Sequence, residues 1–255
     1  MDEDYFEEYQ TAGLNHACAL FSYEDLERGK LSLSGEDIKG TTIYRGWMMS
    51  PHMYENFYNI LLERGIQLMN SPKEYEKYHL LPGWYKDFEG ITPFSVWSES
   101  KNIDDVLKLT ENLEGAFIVK DYVKSRKHEW YDACFIKNIE DKAEAARVIG
   151  NFITRQGENL EGGVVLRKFE SLKCIGKHKD SGMPISEEYR IFVFKCKVLT
   201  ADNYWNKDKE VNISEDEYAW IESVASKVER NFVTVDLARK ADGSLIIMEM
   251  GDGQV

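Results

Sequence analysis

The chain has 255 residues, of which 43% are hydrophobic and 13% aromatic, and its 45 acidic and 32 basic residues give a formal net charge of -13. This composition supports a substantial core in one large domain or two closely joined ones, and it excludes an intrinsically disordered chain. The acidic surface repels phosphate backbones at long range, which argues against nucleic acid as an obligatory partner.

The cysteines and the apolar runs indicate the compartment. The four cysteines are scattered and form no Cys-x-x-Cys pair, so we expect reduced thiols rather than a zinc knuckle or a disulfide framework. The opening segment MDEDYFEEYQ is acidic and lacks an apolar signal core. No run approaches the ~18 consecutive apolar residues of a membrane span. We therefore expect a soluble, cytoplasmic protein with no membrane partner.

The first part of the chain alternates predicted strands and helices. Thr41–Trp47 (TTIYRGW) is typical of a β-strand, and Tyr54–Arg64 carries apolar residues at helical spacing. Ile66–Met69 predicts a second short strand, and Ser71-Pro72 begins a helix that continues to about residue 79. This β-α-β-α order predicts an α/β layer, which we assign to a smaller N-terminal domain of residues 1–110.

The second part, residues 111–255, is richer in predicted strands. The strands are predicted at Gly115–Tyr122, Gly163–Phe169, Glu188–Val198, Phe232–Ala238 and Leu245–Met250. Helices are predicted at Asp141–Gln156 and Ser214–Arg230, and a further one at Asn102–Thr110 ends the first part. The last helix starts with a capping box, because Ser214 is followed three residues later by Glu217. We therefore expect an α+β domain over residues 111–255.

The most specific signal is a pair of acidic residues in a predicted hairpin. Asp236 and Glu249 each lie inside an apolar strand, and Asp242-Gly243 between the strands is a strong turn signal. The hairpin places the two carboxylates on neighbouring strands, where unpaired charges are costly. Because Mg²⁺ prefers a few carboxylates together with nucleotide phosphates, we predict a magnesium site here. The plainer interpretation is a pair of exposed edge carboxylates.

Basic residues on two other strands suit phosphate. Lys120 stands at the end of a predicted strand, and Lys124 and Lys127 lie in the loop after it, where compact ammonium groups suit phosphate binding. Arg190 lies near the start of the strand that begins at Glu188, and its guanidinium suits a terminal phosphate or a carboxylate. A solvated basic loop and a structural ion pair are the plainer interpretations.

The strand Gly163–Phe169 is apolar on both faces and then turns polar. Such a strand suits the wall of an adenine pocket, with backbone groups after Leu166 at the base edge and Glu170 at the ribose. The predicted nucleotide-contacting residues here are Val165, Arg167, Lys168, Phe169 and Glu170. An ordinary central strand is the plainer interpretation.

Together these motifs resemble the ATP-grasp superfamily, and most of all its phage and bacterial clade that is named for one arginine and two lysines. The joint presence and order of the motifs carry the resemblance. They are IYRGWM at 43–48, LPGWY at 81–85, VKDYVKS at 119–125, EYR at 188–190, and Asp236 followed by EMGDGQ at 249–254. The resemblance implies an α+β ATP-grasp fold, in which two α+β subdomains grip ATP, preceded by a smaller α/β domain.

Residue roles follow from the resemblance by position. Lys120 and Lys124 would contact phosphates, and the strand Val165–Phe169 would hold adenine. Asp236 and Glu249 would bind Mg²⁺. Members usually carry an asparagine two residues after the metal-binding glutamate, whereas this chain has Gly251 there, which leaves Asp252 as the candidate third ligand.

The resemblance also implies an activity. Relatives use ATP to convert a carboxylate into an acylphosphate, which an amine then attacks, so we expect an ATP- and Mg²⁺-dependent carboxylate–amine ligase. Its substrates would be small-molecule or peptide carboxylates and amines, with peptide or protein tagging as a role. Arg190, Lys120 and Arg45 would be the catalytic residues, acting by positioning and charge neutralisation.

Two other functions remain open from the sequence. A covalent nucleotidyltransferase, such as an RNA ligase, would use Lys120 as nucleophile, together with Glu161-Gly162-Gly163-Val164 and Lys195-Cys196-Lys197. That interpretation leaves the acidic hairpin unexplained. A non-catalytic ATP-binding module would keep the fold without turnover, and Gly251 at the usual asparagine position favours it.

Overall fold

The computed structural model describes residues 3–205, 211–228 and 232–254. Its strands form two four-stranded sheets and three two-stranded ones. Within the described ranges, none of the helices combines the length and the apolar character needed to cross a lipid bilayer. Short 3-10 helices cover Glu3–Tyr5, Tyr85–Phe88, Leu109–Asn112, Lys127–Glu129 and Gly157–Asn159.

The N-terminal part is a small α/β layer, as the β-α-β-α order predicts. Its elements are α1 (Phe6–Ala12), β1 (Ala19–Leu20), α2 (Tyr23–Glu27), β2 (Ser34–Gly35), β3 (Gly40–Thr42), α3 (Pro51–Glu63), β4 (Ile66–Leu68), α4 (Pro72–His79) and α5 (Leu81–Trp84). Strands β3 and β4 pair in parallel. Tyr54, Phe57 and Leu61 on α3 form the centre of this core.

Local sequence signals set the helix starts. Ser50 caps α3, where its hydroxyl accepts a hydrogen bond from the Met53 N–H at 3.3 Å, and Pro51 fits the first turn. Ser71 and Glu74 form a capping box at the start of α4. The predicted strand Thr41–Trp47 is wrong beyond Thr42, because β4 supplies only three paired residues. The Tyr44 N–H donates to the Gln254 side chain instead of to a strand.

The first four-stranded sheet has the order β5-β8-β6-β7, and all its pairs are antiparallel. Its elements are β5 (Ser95–Ser98), α6 (Ile103–Lys108), β6 (Phe117–Asp121), α7 (Trp130–Ala133), β7 (Phe135–Ile136), α8 (Lys142–Gln156) and β8 (Val164–Lys168). Helix α8 packs against the sheet through buried residues such as Val148, Ile149 and Phe152. Strand β5 was not predicted and lies before residue 110, so the sheet extends across the domain boundary that the sequence predicts.

The second four-stranded sheet, order β12-β11-β13-β14, is entirely antiparallel. The elements of this part are β9 (Cys174–Lys177), β10 (Pro184–Ser186), β11 (Glu188–Phe194), β12 (Lys197–Asn203), α9 (Glu215–Ala225), β13 (Phe232–Arg239) and β14 (Leu245–Asp252). Strands β9 and β10 form a separate hairpin. Helix α9 packs on the sheet through Ile221, Val224 and Ala225.

Two predictions for this part need correction. The predicted single strand Glu188–Val198 is a hairpin, because Lys195 and Cys196 turn the chain with φ of 46° and 65°. Helix α9 ends at Ala225, earlier than predicted, and the last two residues of the predicted helix, 229 and 230, lie outside the described residues.

Candidate active site

A cavity of about 650 Å³ lies between the two four-stranded sheets. Strands β6 and β8 line one wall, and strands β11, β13 and β14 line the other. The end of α4 and the segment of residues 46–48 close one side. The cavity lysines come from the first sheet and the loop after β6, and the carboxylates come from the second sheet, apart from Glu170, which follows β8.

Three charged residues lie side by side across the second sheet. Arg190 on β11 is directly opposite Asp236 on β13, and Asp236 is directly opposite Glu249 on β14. Because paired residues of neighbouring strands project on the same face, all three side chains point into the cavity. The predicted hairpin that brings Asp236 and Glu249 together is present.

Each of the two carboxylates has a cationic partner. Arg190 binds Asp236 with two parallel bonds, from Nε at 2.8 Å and from Nη2 at 2.7 Å, and its guanidinium lies 4.9 Å from the centre of the Tyr204 ring. Lys120 Nζ lies 2.6 Å from Glu249 Oε1. The Lys120 side chain is 8% exposed, whereas Glu249 keeps 40% exposure toward the cavity.

The pKa values of the two carboxyl groups shift in opposite directions. Burial raises the pKa of Asp236, Glu249 raises it further, and the two bonds from Arg190 only partly offset this rise. Burial would also raise the pKa of Glu249, but the ammonium groups of Lys120 and Lys127 outweigh it and lower that pKa. Glu249 is therefore the more firmly ionised of the two.

This donor set fits Mg²⁺. Two adjacent carboxylates supply hard oxygen ligands, and the metal takes its remaining ligands from water and nucleotide phosphates. Each carboxylate now has a side-chain cation as its counterion, which the metal would replace. Among residues 3–205, 211–228 and 232–254, no group of three or more His, Cys, Asp or Glu side chains is arranged to hold a metal ion.

Asp252, the predicted third ligand, is occupied by other bonds. It is 1% exposed, and one of its oxygens accepts a hydrogen bond from Asn70 Nδ2. The other accepts from the Gln254 backbone N–H at 2.9 Å and from Gln254 Nε2 at 3.1 Å. Burial raises the pKa of Asp252 to about 6. The residue ties the end of β14 to the N-terminal part, and its role as a metal ligand stays a prediction.

The basic loop after β6 faces the cavity as predicted for phosphate binding. Lys120, Lys124 and Lys127 all line it. The Asp121 carboxylate shapes the loop, because it accepts from the backbone N–H groups of Val123 at 2.7 Å and Lys124 at 2.5 Å. Burial would lower the pKa of Lys127, but Glu249 and Glu188 outweigh it and raise that pKa.

The residues predicted to hold adenine divide into two groups. Lys168, Phe169 and Glu170 line the cavity, next to an apolar patch formed by Trp130, Cys134 and Met183. Val165 is fully buried in the core of the second sheet and does not line the cavity.

Arg167, also predicted to contact the nucleotide, joins the two sheets. It is 5% exposed and donates to Ser95 Oγ at 2.9 Å, Thr92 Oγ1 at 2.8 Å and the Met248 carbonyl at 2.8 Å. Burial lowers its pKa to about 10. Its side chain lines the cavity, but its N–H groups donate to these protein oxygens.

Arg45 lies beside the cavity rather than in it. Its guanidinium donates to Glu8 Oε1 at 2.6 Å and to the Gly253 carbonyl at 3.1 Å. Its neighbours Gly46 and Trp47 line the cavity, whereas Arg45 is absent from the lining that the structure describes. The structure therefore does not bring Arg45 together with Lys120 and Arg190.

Sequence reasoning missed several cavity residues. Glu188 lies two positions from Arg190 on β11 and faces the same side, a spacing that the period of a strand would have revealed. Burial raises the pKa of Glu188. Tyr204 follows β12, whose first residues were predicted to belong to the same strand as β11. His79 lies at the end of α4, outside every sequence motif that was considered.

Two sheets that enclose a cavity with lysines on one wall and paired carboxylates on the other define the ATP-grasp class of enzymes. The model of an ATP-grasp domain family, the third family of the clade named for one arginine and two lysines, matches residues 108–255. The chain therefore belongs to this family, which confirms the superfamily and the α+β fold that the motifs imply.

Solved structures agree on the fold. The chain is similar to N5-carboxyaminoimidazole synthetase from Staphylococcus aureus complexed with ADP, at 13% identity and a TM-score of 0.54, over 83% of this chain and 53% of that one. It is also similar to D-alanyl-alanine synthetase A from Vibrio cholerae O1 biovar eltor, at 11% identity and a TM-score of 0.51, over 78% of this chain and 64% of that one. The chain thus spans between about half and two thirds of these structures. No curated protein matches it in sequence.

Proposed function

We propose that this protein is an ATP- and Mg²⁺-dependent ligase that joins a carboxylate to an amine through an acylphosphate. The observation that carries the proposal is the row of Arg190, Asp236 and Glu249 across three strands, with Lys120 opposite it in one cavity. This arrangement offers two adjacent oxygen ligands for a metal and cations for phosphate within the same space. Membership of the ATP-grasp family supports it.

The two walls of the cavity would bind different parts of Mg·ATP. Asp236 and Glu249 would hold Mg²⁺, which when bound neutralises phosphate charge. Lys120 and Lys124 bind phosphate oxygens as point charges. Arg190, which pairs with Asp236 in the structure, would stabilise charge on the transferred phosphoryl group when Asp236 holds the metal.

The adenine end lies at the other side of the cavity. Phe169 and the apolar patch beside it provide an apolar surface for the base, and Glu170, the next residue, would bind the ribose. Lys168, the last residue of β8, also lines the cavity. The nucleotide would therefore extend from the Phe169 end to the carboxylate row.

The reaction balances in two steps. An oxygen of the substrate carboxylate attacks the terminal phosphorus of ATP, the bond from that phosphorus to the bridging oxygen breaks, and ADP leaves. The amine nitrogen then attacks the acyl carbon, the bond from carbon to the phosphate oxygen breaks, and the nitrogen loses a proton. Inorganic phosphate is released. The protein contributes positioning and charge stabilisation, and none of its side chains forms a covalent bond.

The substrates belong to the classes of small-molecule or peptide carboxylates and amines, and peptide or protein tagging is the role we propose. Trp47 and Trp205 line the cavity and are 50% and 37% exposed, so apolar surface is available to an acceptor. The enzyme would act in the cytoplasm, where ATP and Mg²⁺ are supplied.

The test measures products and the path of oxygen. The protein is incubated with Mg·ATP and with mixtures of carboxylates, amines and peptides, one carboxylate at a time labelled with ¹⁸O. Formation of ADP, with ¹⁸O in the released phosphate, is the expected result. Glu249→Gln should abolish it, while Glu63→Gln, an exposed carboxylate on α3, should not. Release of AMP and pyrophosphate, or retention of the α-phosphate on the protein, would refute the proposal.

The two alternative functions predict different outcomes. A covalent nucleotidyltransferase needs its Lys-x-Lys motif at the site, yet neither Lys195 nor Lys197 lines the cavity in the part of the chain that the structure describes. A non-catalytic module is favoured by one observation, the occupation of Asp252 by Asn70 and Gln254. That module would be stabilised thermally by Mg·ATP without forming ADP from any mixture.

A further inference from the structure

His79 is a buried histidine that faces the cavity and has no role in the function proposed above. It is the last residue of α4, it is 7% exposed, and it lines the cavity together with Lys120 and Lys124. Neither ring nitrogen forms a hydrogen bond with any residue in the described part of the chain. The two ring nitrogens are not among the buried atoms without a partner, so they are open to the cavity, where a ligand can accept a hydrogen bond from the imidazole N–H.

An aromatic stack fixes the position of this ring. The His79 imidazole stacks on Tyr75 with 4.8 Å between ring centroids, and Tyr75 stacks on Tyr54 at 3.9 Å. The Tyr75 hydroxyl donates to the Met49 carbonyl at 2.8 Å and accepts from the Met49 N–H at 2.9 Å. The imidazole is thus held in place before any ligand arrives, and such preorganisation lowers the cost of binding.

The charges around His79 identify the kind of group that it meets. Burial, Lys124 and Lys120 together lower its pKa to about 4, and Glu249 opposes them. A neutral imidazole has one N–H donor and one acceptor nitrogen. Two ammonium groups and a metal-binding carboxylate in the same neighbourhood mark the end of the cavity that receives phosphate oxygens.

We propose that His79 donates a hydrogen bond from its imidazole N–H to an oxygen of the terminal phosphate of a bound nucleoside triphosphate. The inference rests on the proposed function, since it requires the nucleotide to bind with its phosphates at the carboxylate row. It assigns to the N-terminal part a contact with the terminal phosphate. A nucleoside diphosphate lacks that phosphate, so the contact would favour the triphosphate.

The test compares two nucleotides on matched variants. His79→Phe keeps the stack on Tyr75 and removes both nitrogens, whereas His79→Gln restores a donor. His52→Phe, at an exposed histidine on α3, is the control for replacing a histidine outside the cavity. Calorimetry should show that His79→Phe weakens binding of Mg·AMPPNP about tenfold and changes Mg·ADP less than about twofold. His79→Gln should recover part of the loss, and His52→Phe should bind both nucleotides like wild type.

A second measurement uses the wild-type protein and does not depend on how the variant folds. With ¹⁵N-labelled imidazoles, the His79 signal is assigned as the one, among the five histidines, that stays neutral as the pH falls through 6.5. Its N–H resonance should shift on addition of Mg·AMPPNP and stay unchanged with Mg·ADP.

The possible results distinguish a failure of the His79 contact from a failure of the proposed ligase function. If wild type binds both nucleotides and His79→Phe weakens them equally or not at all, the His79 contact is wrong and the ligase proposal stands. If wild type binds neither nucleotide, both are overturned. A selective loss for Mg·AMPPNP together with the selective N–H shift supports the contact.

Discussion

Replacing Asn70 by alanine should remove three hydrogen bonds that join the N-terminal part to the second sheet. Asn70 is 1% exposed, and its side chain amide donates to the Phe232 carbonyl at 2.6 Å and to the Asp252 carboxylate. Its carbonyl oxygen accepts from the Phe232 N–H at 3.0 Å. Three lost hydrogen bonds at about 1 kcal/mol each, plus the cost of a buried carboxylate with one donor fewer, lower the free energy of unfolding by about 3–5 kcal/mol.

Urea denaturation at pH 7 measures this change, and two further variants sharpen it. Asn56→Ala removes an exposed asparagine on α3 and should change the free energy of unfolding by less than about 0.5 kcal/mol. Asn70→Asp places a second carboxylate against Asp252, so its defect should exceed that of Asn70→Ala at pH 7 and become smaller as the pH falls. A loss below about 1 kcal/mol in Asn70→Ala, or one equal to that of Asn56→Ala, would show that this link carries little of the stability.

Three further predictions concern protonation, the metal and the turn. Because burial lowers the folded-state pKa of His79 from 6.5 to about 4, its contribution to stability is present above pH 6.5 and is lost as the pH falls to 4. Urea titrations should therefore show wild type losing about 3 kcal/mol more than His79→Phe between pH 7 and pH 4, and parallel curves would contradict this. Glu249→Gln should abolish the gain in AMPPNP affinity that Mg²⁺ gives over EDTA, with Glu63→Gln unchanged, and a retained gain in calorimetry would remove Glu249 from the metal site. Lys195→Asn combined with Cys196→Gly should raise the free energy of unfolding by about 1 kcal/mol, because both residues have positive φ and Asn-Gly favours such a turn; an unchanged denaturation midpoint would argue against strain there.

Much of the fold was predictable where the signal is local. Ser71 before Pro72 marked the start of α4, and the structure has that cap. Ser50 before Pro51 carries the same signal, but the predicted helix began at Tyr54, three residues after the start of α3. The turn signal at Asp242-Gly243 predicted that β14 pairs with β13, and Asp236 and Glu249 are opposite each other in the structure. By contrast, Lys195 and Cys196 carry none of the Gly or Asn chemistry of a tight turn, and the hairpin they form was missed.

The site was less predictable where it depends on strand order and on side-chain direction. The sequence does not show that β11 lies beside β13, so an ion pair of Arg190 was considered without Asp236 as its partner. Val165 was predicted to face adenine, but its side chain points into the core of the second sheet. Arg45 binds Glu8, a partner 37 positions away along the chain. In each case the partner or direction of the side chain depends on pairing between distant parts of the chain, which local sequence patterns do not show.

The end of β14 has a mechanical consequence. This strand carries Glu249 in the second sheet, yet its continuation is fastened to the other part of the molecule, where Gln254 is fully buried and donates to the Tyr54 hydroxyl at 2.7 Å. Arg45 adds a bond to the Gly253 carbonyl. A movement of the N-terminal part away from the second sheet would break these bonds and displace the strand that bears Glu249.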